Sequence, residues 1–217
     1  MSLDSMLLAG NHSTPWNGVY PNQDANTLFR MFDFKTVADI IDKGPNKVTV
    51  NKNGTFTAAI NPSYGPYIRM NTGNYLSWTS ALLNGQSLDM TMIIGNFTYS
   101  LAASPALIDC RPVSTNGNYF VVSGKGNAPF STSFYFNSVQ SPPSIVLNSS
   151  DFPVVLVFKI RPNVQEVWAN GTKILSWPGN FTYAGSQNYK LGRNAFAGSA
   201  NIPNLQADLY YFDIKKV

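Results

Sequence analysis

Few residues in this chain are equipped for acid–base or nucleophilic chemistry. It carries one histidine, His12, and one cysteine, Cys110. Its single glutamate, Glu166, sits in "NVQEVWAN" with no second acid on the same segment, and the other acids are aspartates scattered in sequence. Glycoside hydrolysis needs a pair of carboxylates flanking the scissile bond, so an Asp pair assembled by the fold would be the only remaining route. A Ser-His-Asp arrangement would rest on His12, which lies in an irregular polar segment beside Asn11 and Ser13, whereas that mechanism needs a base held in fixed orientation. Cys110 lacks a second histidine to activate it. Three or four His, Cys or acidic ligands at suitable spacing would be needed for zinc. "GKGNAP" (124–129) has glycines and a lysine but no helix after it, so it reads as a hairpin loop rather than a phosphate cradle. The expectation is a non-enzyme with no catalytic residues, no metal and no cofactor.

Residues suited to binding are more plentiful. Trp168, Asn170, Trp177 and Tyr183 gather around one segment and are candidates for a carbohydrate platform of aromatic faces and amides. In the alternating run "VQEVWAN", Trp168 shares a face with Glu166 and opposes Val167. The competing role for such aromatics is core or subunit contact, because they bring the largest apolar area to bury. A second group, Met6, Leu7, Leu8, Trp16 and Tyr20, lies in the polar, Pro-punctuated stretch of residues 1–26. These are candidate assembly contacts of an irregular arm, which either docks on a partner or folds back on its own domain.

The elements that must position these residues are strands. Of 217 residues, 44% are apolar and only 12% charged, about half the usual charged share. Asn, Ser, Thr and Gly supply the polarity instead, a composition that suits strands and turns and disfavours long solvent-facing helices. The net charge of +4 comes from a shortage of acids, with no basic stripe, so nucleic-acid binding is not expected, and no run approaches the roughly 18 apolar residues of a membrane span. One cysteine allows no intrachain disulfide, and "MSLDSMLLAG" lacks the charged flank and apolar length of a signal peptide. Synthesis in a reducing cytoplasm is the expectation. Six Asn-x-Ser/Thr triplets, at Asn11, Asn53, Asn96, Asn148, Asn170 and Asn180, follow from the same Asn/Ser/Thr richness.

Along the chain, "LFRMFDF" opens a strand region and "KTVADIIDKGPN" holds one helical turn around Val37 to Ile41. "KVTVNKNGTFTAAI" reads as strand, Asn-Gly turn, strand, and "GPYIRMNTGNYLSW" as a strand pair across Asn71 to Asn74. "PVVLVFKI" (153–160) is a continuous apolar run that fits a sandwich-core strand. Asn170-Gly171 between two alternating segments is the strongest hairpin signal. The final run alternates Leu205, Ala207, Leu209 and Tyr211 against Gln206, Asp208, Tyr210 and Phe212. Many short strands without an amphipathic helix predict an all-β, two-sheet antiparallel jelly-roll sandwich over residues 27–217.

The order of "LFRMFDF", "VTVNKNGTFT", "PVVLVFKI", "EVWANGTKI", "KLGRNAFAGSA" and "LQADLYYFDIKKV" resembles the laminin G-like, concanavalin A-like lectin/glucanase jelly rolls. That resemblance implies two facing sheets, one of them concave. Members of the family bind sugars or proteins, hydrolyse glycans, or build viral particles, so fold alone does not choose a function. The hydrolase branch carries two Glu on one strand with an Asp between, a pattern absent around Glu166. The family's rim calcium would fall to Asp33, Asp109 and Asp151, but only Asp39 and Asp42 are close in sequence, and we expect turn caps instead. The leading expectation is a non-enzymatic structural or interaction module, a bacteriophage or viral virion component such as a capsid decoration, fibre or tail-associated protein. Its partners would be other virion proteins, with self-association into a homo-oligomer compatible, and the arm of residues 1–26 would dock and be dispensable for folding. The alternative is a carbohydrate-binding module recognising a host cell-surface glycan.

Overall fold

The computed structural model describes residues 16–80, 87–98, 106–109, 120–125, 130–136, 139–140, 144–147, 152–178, 187–193 and 205–217. Its strands are, in chain order, β1 (Thr27–Phe32), β2 (Asn51–Asn53), β3 (Thr57–Asn61), β4 (Gly65–Met70), β5 (Tyr75–Ser80), β6 (Leu88–Thr98), β7 (Ala106–Asp109) and β8 (Phe120–Lys125). They continue with β9 (Phe130–Phe136), β10 (Val139–Gln140), β11 (Ser144–Leu147), β12 (Val154–Ile160), β13 (Val164–Ala169), β14 (Thr172–Pro178), β15 (Gln187–Leu191) and β16 (Gln206–Lys216). A 3-10 turn at Val37–Asp39 occupies the expected helical position. Two antiparallel sheets result. The first runs β14-β13-β12-β6-β16-β4-β3, with β1 also on β16; the second runs β10-β9-β8-β7-β15-β5-β2, with β11 on β9. This is the two-sheet sandwich the strand pattern predicts.

The core fills the space between the sheets. Trp78 of β5 is stacked between Phe29 of β1, with centroids 4.5 Å apart, and Tyr189 of β15, 5.1 Å away. Phe212 of β16 meets both Phe29 and Trp78 at an angle. Met31, Ile68, Met92, Leu156, Phe158 and Leu191 surround them, all fully buried. Offset and tilted ring pairs of this kind add to the area they bury.

Turn chemistry explains where the local reading holds and where it fails. Asn170 and Gly171 have φ of 46° and 82°, the positive pair that a two-residue hairpin demands, and β13 and β14 pair across them. Asn53-Gly54 does not close a hairpin. Strand β2 pairs with β5 in the second sheet, whereas β3 pairs with β4 in the first. Likewise Asn71–Asn74 joins β4 of the first sheet to β5 of the second rather than pairing them. Both connections cross between layers and meet each other. Gly54 has φ of +84°, and a Cβ on it would stand 2.0 Å from the Gly73 carbonyl oxygen. Buried Asn74 then ties the crossings together, its Nδ2 donating to the Thr55 carbonyl (2.8 Å) and the Arg69 carbonyl (3.1 Å).

The expected alternation of the last strand also breaks. Between Leu209 and Tyr211 the register to β6 slips, so that Leu209 faces Ile94 and Tyr211 faces Ile93 with Tyr210 inserted between them. A bulge exchanges the faces beyond it. Leu205, Ala207 and Leu209 lie in the core, as read, but they are followed there by Phe212 and Ile214, while Tyr210 and Tyr211 both join an outer cluster.

That outer cluster is covered by residues 16–22. Trp16, 4% exposed, packs with Ile93, Tyr210 and Tyr211, with ring centroids 5.4 Å from Tyr20 and 5.2 Å from Tyr210. Its N–H donates to the Pro153 carbonyl (2.9 Å), and its Nε1 to the Val19 carbonyl (2.8 Å). Trp16 and Tyr20, named from sequence as candidate assembly contacts, are therefore spent on their own sheet, because the bulge leaves that sheet with an apolar aromatic outer face to cover. Met6, Leu7 and Leu8 lie outside the described residues. Residues 16–22 thus pack as part of the domain. Trp16→Ala should cost about 3 kcal/mol of stability in urea unfolding, and removing residues 2–26 should cost more. An unchanged midpoint in Trp16→Ala would show that the cover is superficial.

Candidate functional site

The outer faces of the two sheets have different chemistry. On the first sheet, beneath residues 16–22, lies a buried polar group. Asp213 is fully buried and accepts from the Tyr211 hydroxyl (2.6 Å) and the Thr91 N–H (3.3 Å). Arg30, its cross-strand partner on β1, places its guanidinium 4.4 Å from the Phe32 ring centre and 5.4 Å from that of Tyr211, and donates to the Pro21 carbonyl. Burial pushes the Asp213 carboxyl up to about 6, against the lowering effects of Tyr211, Lys215, Thr91 and Arg30. Burial raises Tyr211 as well. These groups fasten the covering segment to the sheet and face no open surface.

At the far end of the same face stands Trp168. It shares the outer side with Glu166, as read, with Val167 buried in the core opposite. Its Nε1 donates to Glu166 (2.9 Å), and Lys159 lies 4.3 Å from the ring centre. Lys173 bridges to Glu166 at 3.1 Å. Despite partial burial, bonds from Trp168 and Lys173 hold the Glu166 carboxyl below its ordinary range. The cluster satisfies itself.

The rest of the sequence-derived platform does not assemble around Trp168. Trp177 is the register partner of buried Gln165 and packs against the core, on the inner side of β14. Asn170 is taken up by the hairpin turn, its Oδ1 accepting from the Val155 N–H and its own N–H donating to the Val155 carbonyl, each at 2.9 Å. A turn residue with φ of 46° uses its side chain to brace the turn. Tyr183 lies outside the described residues, as do His12, Cys110 and Asp151.

The outer face of the second sheet is polar. Leu76, Trp78, Tyr189 and Leu191 point into the core, so alternation places Tyr75, Ser77, Thr79, Asn188 and Lys190 outward; Asp109, which follows core residues Leu107 and Ile108, is fully buried. The registers align them in rows: Asn51 beside Ser77, Ser77 beside Lys190, and Lys190 beside Asp109. Asn53 lies beside Tyr75, and Thr79 beside Asn188. Asn53 Nδ2 donates to Ser77 Oγ (2.9 Å) and the Thr79 hydroxyl to Asn188 Oδ1 (2.7 Å). Asn51 and Thr79 are exposed, and Asn53, Tyr75, Ser77, Asn188 and Lys190 half-buried. This array of fixed amides and hydroxyls with one aromatic is what sequence reasoning missed. Its trace was the polar alternation in "NYLSWTS" and "QNYKL".

Several of the described acids have identifiable tasks. Asp42 caps a turn, accepting from the N–H groups of Arg30, Gly44 and Val48, and Asp39 closes a capping box with Thr36. Asp208 pairs with Arg69 at 2.5 Å, and burial still raises its carboxyl above the ordinary value. Asp33 follows β1 of the first sheet and Asp109 ends β7 of the second, so the proposed calcium ligands belong to different layers. Among the described residues no group of three potential metal ligands forms, and no helix is long and apolar enough to cross a membrane.

No protein-family model matches the chain, and no curated protein matches it in sequence. Solved structures share the fold. One is a structure of botulinum neurotoxin type C, whose cell entry is dependent upon interaction with two ganglioside molecules; it matches at 12% identity and a TM-score of 0.63, over 88% of this chain and 49% of that one. The botulinum neurotoxin serotype G binding domain matches at 13% identity and 0.63, over 88% and 48%. Domain 4 of AbnA, a GH43 extracellular arabinanase from Geobacillus stearothermophilus in complex with arabinotriose, matches at 15% identity and 0.57, over 89% and 94%. The chain thus spans about half the length of the neurotoxin chains and nearly all of the arabinanase domain. At these identities the likeness establishes a shared β-sandwich.

The buried carboxylate makes a pH prediction. Asp213 rises from an ordinary 3.8 to about 6 in the fold. Its favourable contribution is therefore complete below pH 3.8 and lost as pH rises through 6. At pH 7.5 the charged form weakens the fold by a free energy on the order of 3 kcal/mol. Asparagine still accepts from Thr91 and can donate to the Tyr211 oxygen. Asp213→Asn should raise the urea midpoint at pH 7.5 and leave it nearly unchanged at pH 4.

Proposed function

We propose that this chain is a non-catalytic recognition module that binds saccharide on the outer face of the second sheet. The observation that carries the reading is the row of amides and hydroxyls formed by Asn51, Asn53, Ser77, Thr79 and Asn188, with Tyr75 at its end. Saccharide hydroxyls are met by planar amides and hydroxyl groups already fixed in place, and sugar rings by aromatic surface. Sites that fix a few polar groups in advance lose less on binding. The fold is shared with a ganglioside-dependent neurotoxin and with an arabinanase domain that holds arabinotriose, which supports a binding role by analogy of architecture.

A second reading places the same module on a viral or phage particle, as a capsid decoration, fibre or tail-associated protein that meets a host-surface glycan. It is favoured by the low charge, 12% of residues, and by strands rich in Asn, Ser and Thr. Because Trp16 and Tyr20 are occupied within the domain, docking to neighbouring virion proteins would fall to residues 1–15, with Met6, Leu7 and Leu8 as anchors.

A glycan array probed with the full chain tests the saccharide reading. We expect binding to at least one glycan, abolished by Ser77→Ala combined with Asn188→Ala at unchanged circular dichroism, and retained in Trp168→Ala. Loss in Trp168→Ala alone would move the site to the first sheet.

A further inference from the structure

Among the described arginines, one is held against a ring without a described hydrogen-bond or ion-pair partner. Arg193 is exposed, its guanidinium lies 4.6 Å from the centre of the Tyr75 ring, and it makes no hydrogen bond or ion pair with any described residue. The other described arginines are engaged: Arg30 with the Pro21 carbonyl, Arg69 with Asp208, and Arg161 with Asp89. An arginine that rests on a ring is preorganised, and its forked donors suit carboxylate or sulfate.

Both halves of this pair rest on rigid backbone. Gly192, just before Arg193, has φ of +86°, and a Cβ there would stand 2.6 Å from Met70 Cε. Its N–H donates to the Leu107 carbonyl (3.0 Å) and its carbonyl accepts from Leu205 (2.7 Å). Tyr75 follows buried Asn74, which locks the crossing between sheets. Beside Tyr75 on the sheet lies Asn53, and beyond it Ser77 and Asn51. A cationic fork thus borders a run of amides and hydroxyls.

We infer that Arg193 and Tyr75 form the anion subsite of the saccharide face, and that the ligand is an acidic saccharide, presenting a carboxylate or sulfate ester to Arg193 and hydroxyls to Asn53, Asn51 and Ser77. The inference rests on the saccharide reading above and narrows it to a charged class.

Titration calorimetry on the full chain tests it with four probes: a glucuronate-containing unsulfated oligosaccharide, a sulfated chondroitin oligosaccharide, a neutral arabino-oligosaccharide and polyglutamate. One or both acidic sugars should bind more tightly than the neutral one, and their relative affinity distinguishes carboxylate from sulfate. Arg193→Ala should weaken acidic-sugar binding about tenfold or more, the scale of a charge-assisted hydrogen bond, and weaken neutral-sugar binding by much less. Arg193→Lys should recover only part, and added salt should weaken the wild type. Equal binding of acidic and neutral sugars with no effect of Arg193→Ala overturns the inference and leaves the saccharide reading standing. Binding of polyglutamate as tight as that of the acidic sugars also overturns it. Failure of every oligosaccharide to bind overturns both. Circular dichroism of each variant separates lost binding from lost fold.

Discussion

The constraint on which this sandwich depends is that its central strand, β16, is buried on both sides. A strand in a two-layer sandwich ordinarily gives one face to the core and the other to water. In β16 Ala207 and Leu209 face the core, and the bulge at Tyr210 keeps Phe212 and Ile214 on that side while leaving two adjacent tyrosines, with Asp213, on the outside. That outer side carries too much aromatic area to stand in water, and it encloses a carboxylate that burial makes costly. Residues 16–22 are the cover, and Arg30 links cover, strand and carboxylate through the Pro21 carbonyl and the rings of Phe32 and Tyr211.

The two outer faces therefore divide the labour of the domain. One is closed by the chain's own N-terminal segment at its centre and by the self-satisfied Trp168, Glu166, Lys159 and Lys173 cluster at its end. The other keeps its amides and hydroxyls partly in reach of solvent. Its geometry derives from the core beneath: the stack of Phe29, Trp78 and Tyr189 fixes β5 against β15, and with it the positions of Ser77, Thr79 and Asn188. Such a face presents its polar groups without a moving part.

How much of this was legible in the sequence follows from the range of the interaction. Asn170-Gly171 announced its hairpin because two adjacent residues contain the whole cause. Asn53-Gly54 carried the same signal and misled, because whether a turn returns to its own sheet or crosses to the other is decided by distant partners, here the contact of Gly54 with Gly73 and the bonds of Asn74. The strand content and the sandwich emerged from composition and alternation. The bulge at Tyr210 did not, since nothing in "ADLYYFD" marks which tyrosine is the extra one. Trp168 was placed on the outer face because strand alternation around it was readable, whereas Trp177 was grouped with it by nearness in sequence although it pairs with buried Gln165 and packs on the core. The pairing of Tyr75 with Arg193 joins segments far apart in sequence, and only the assembled sheets bring them together.

The position of β16 also orders events in time. β6, β4 and β1 all pair with residues 206–216, and β12, β13 and β14 attach to the sheet only through β6. During synthesis from the N-terminus, nearly the whole first layer is made before the strand that joins it exists. Long-range pairings of this sort are slow to form and leave apolar edges uncovered meanwhile. The first layer cannot be completed until residues 206–216 have emerged, and only then can the earliest aromatic of the domain, Trp16, settle against one of the last, Tyr210.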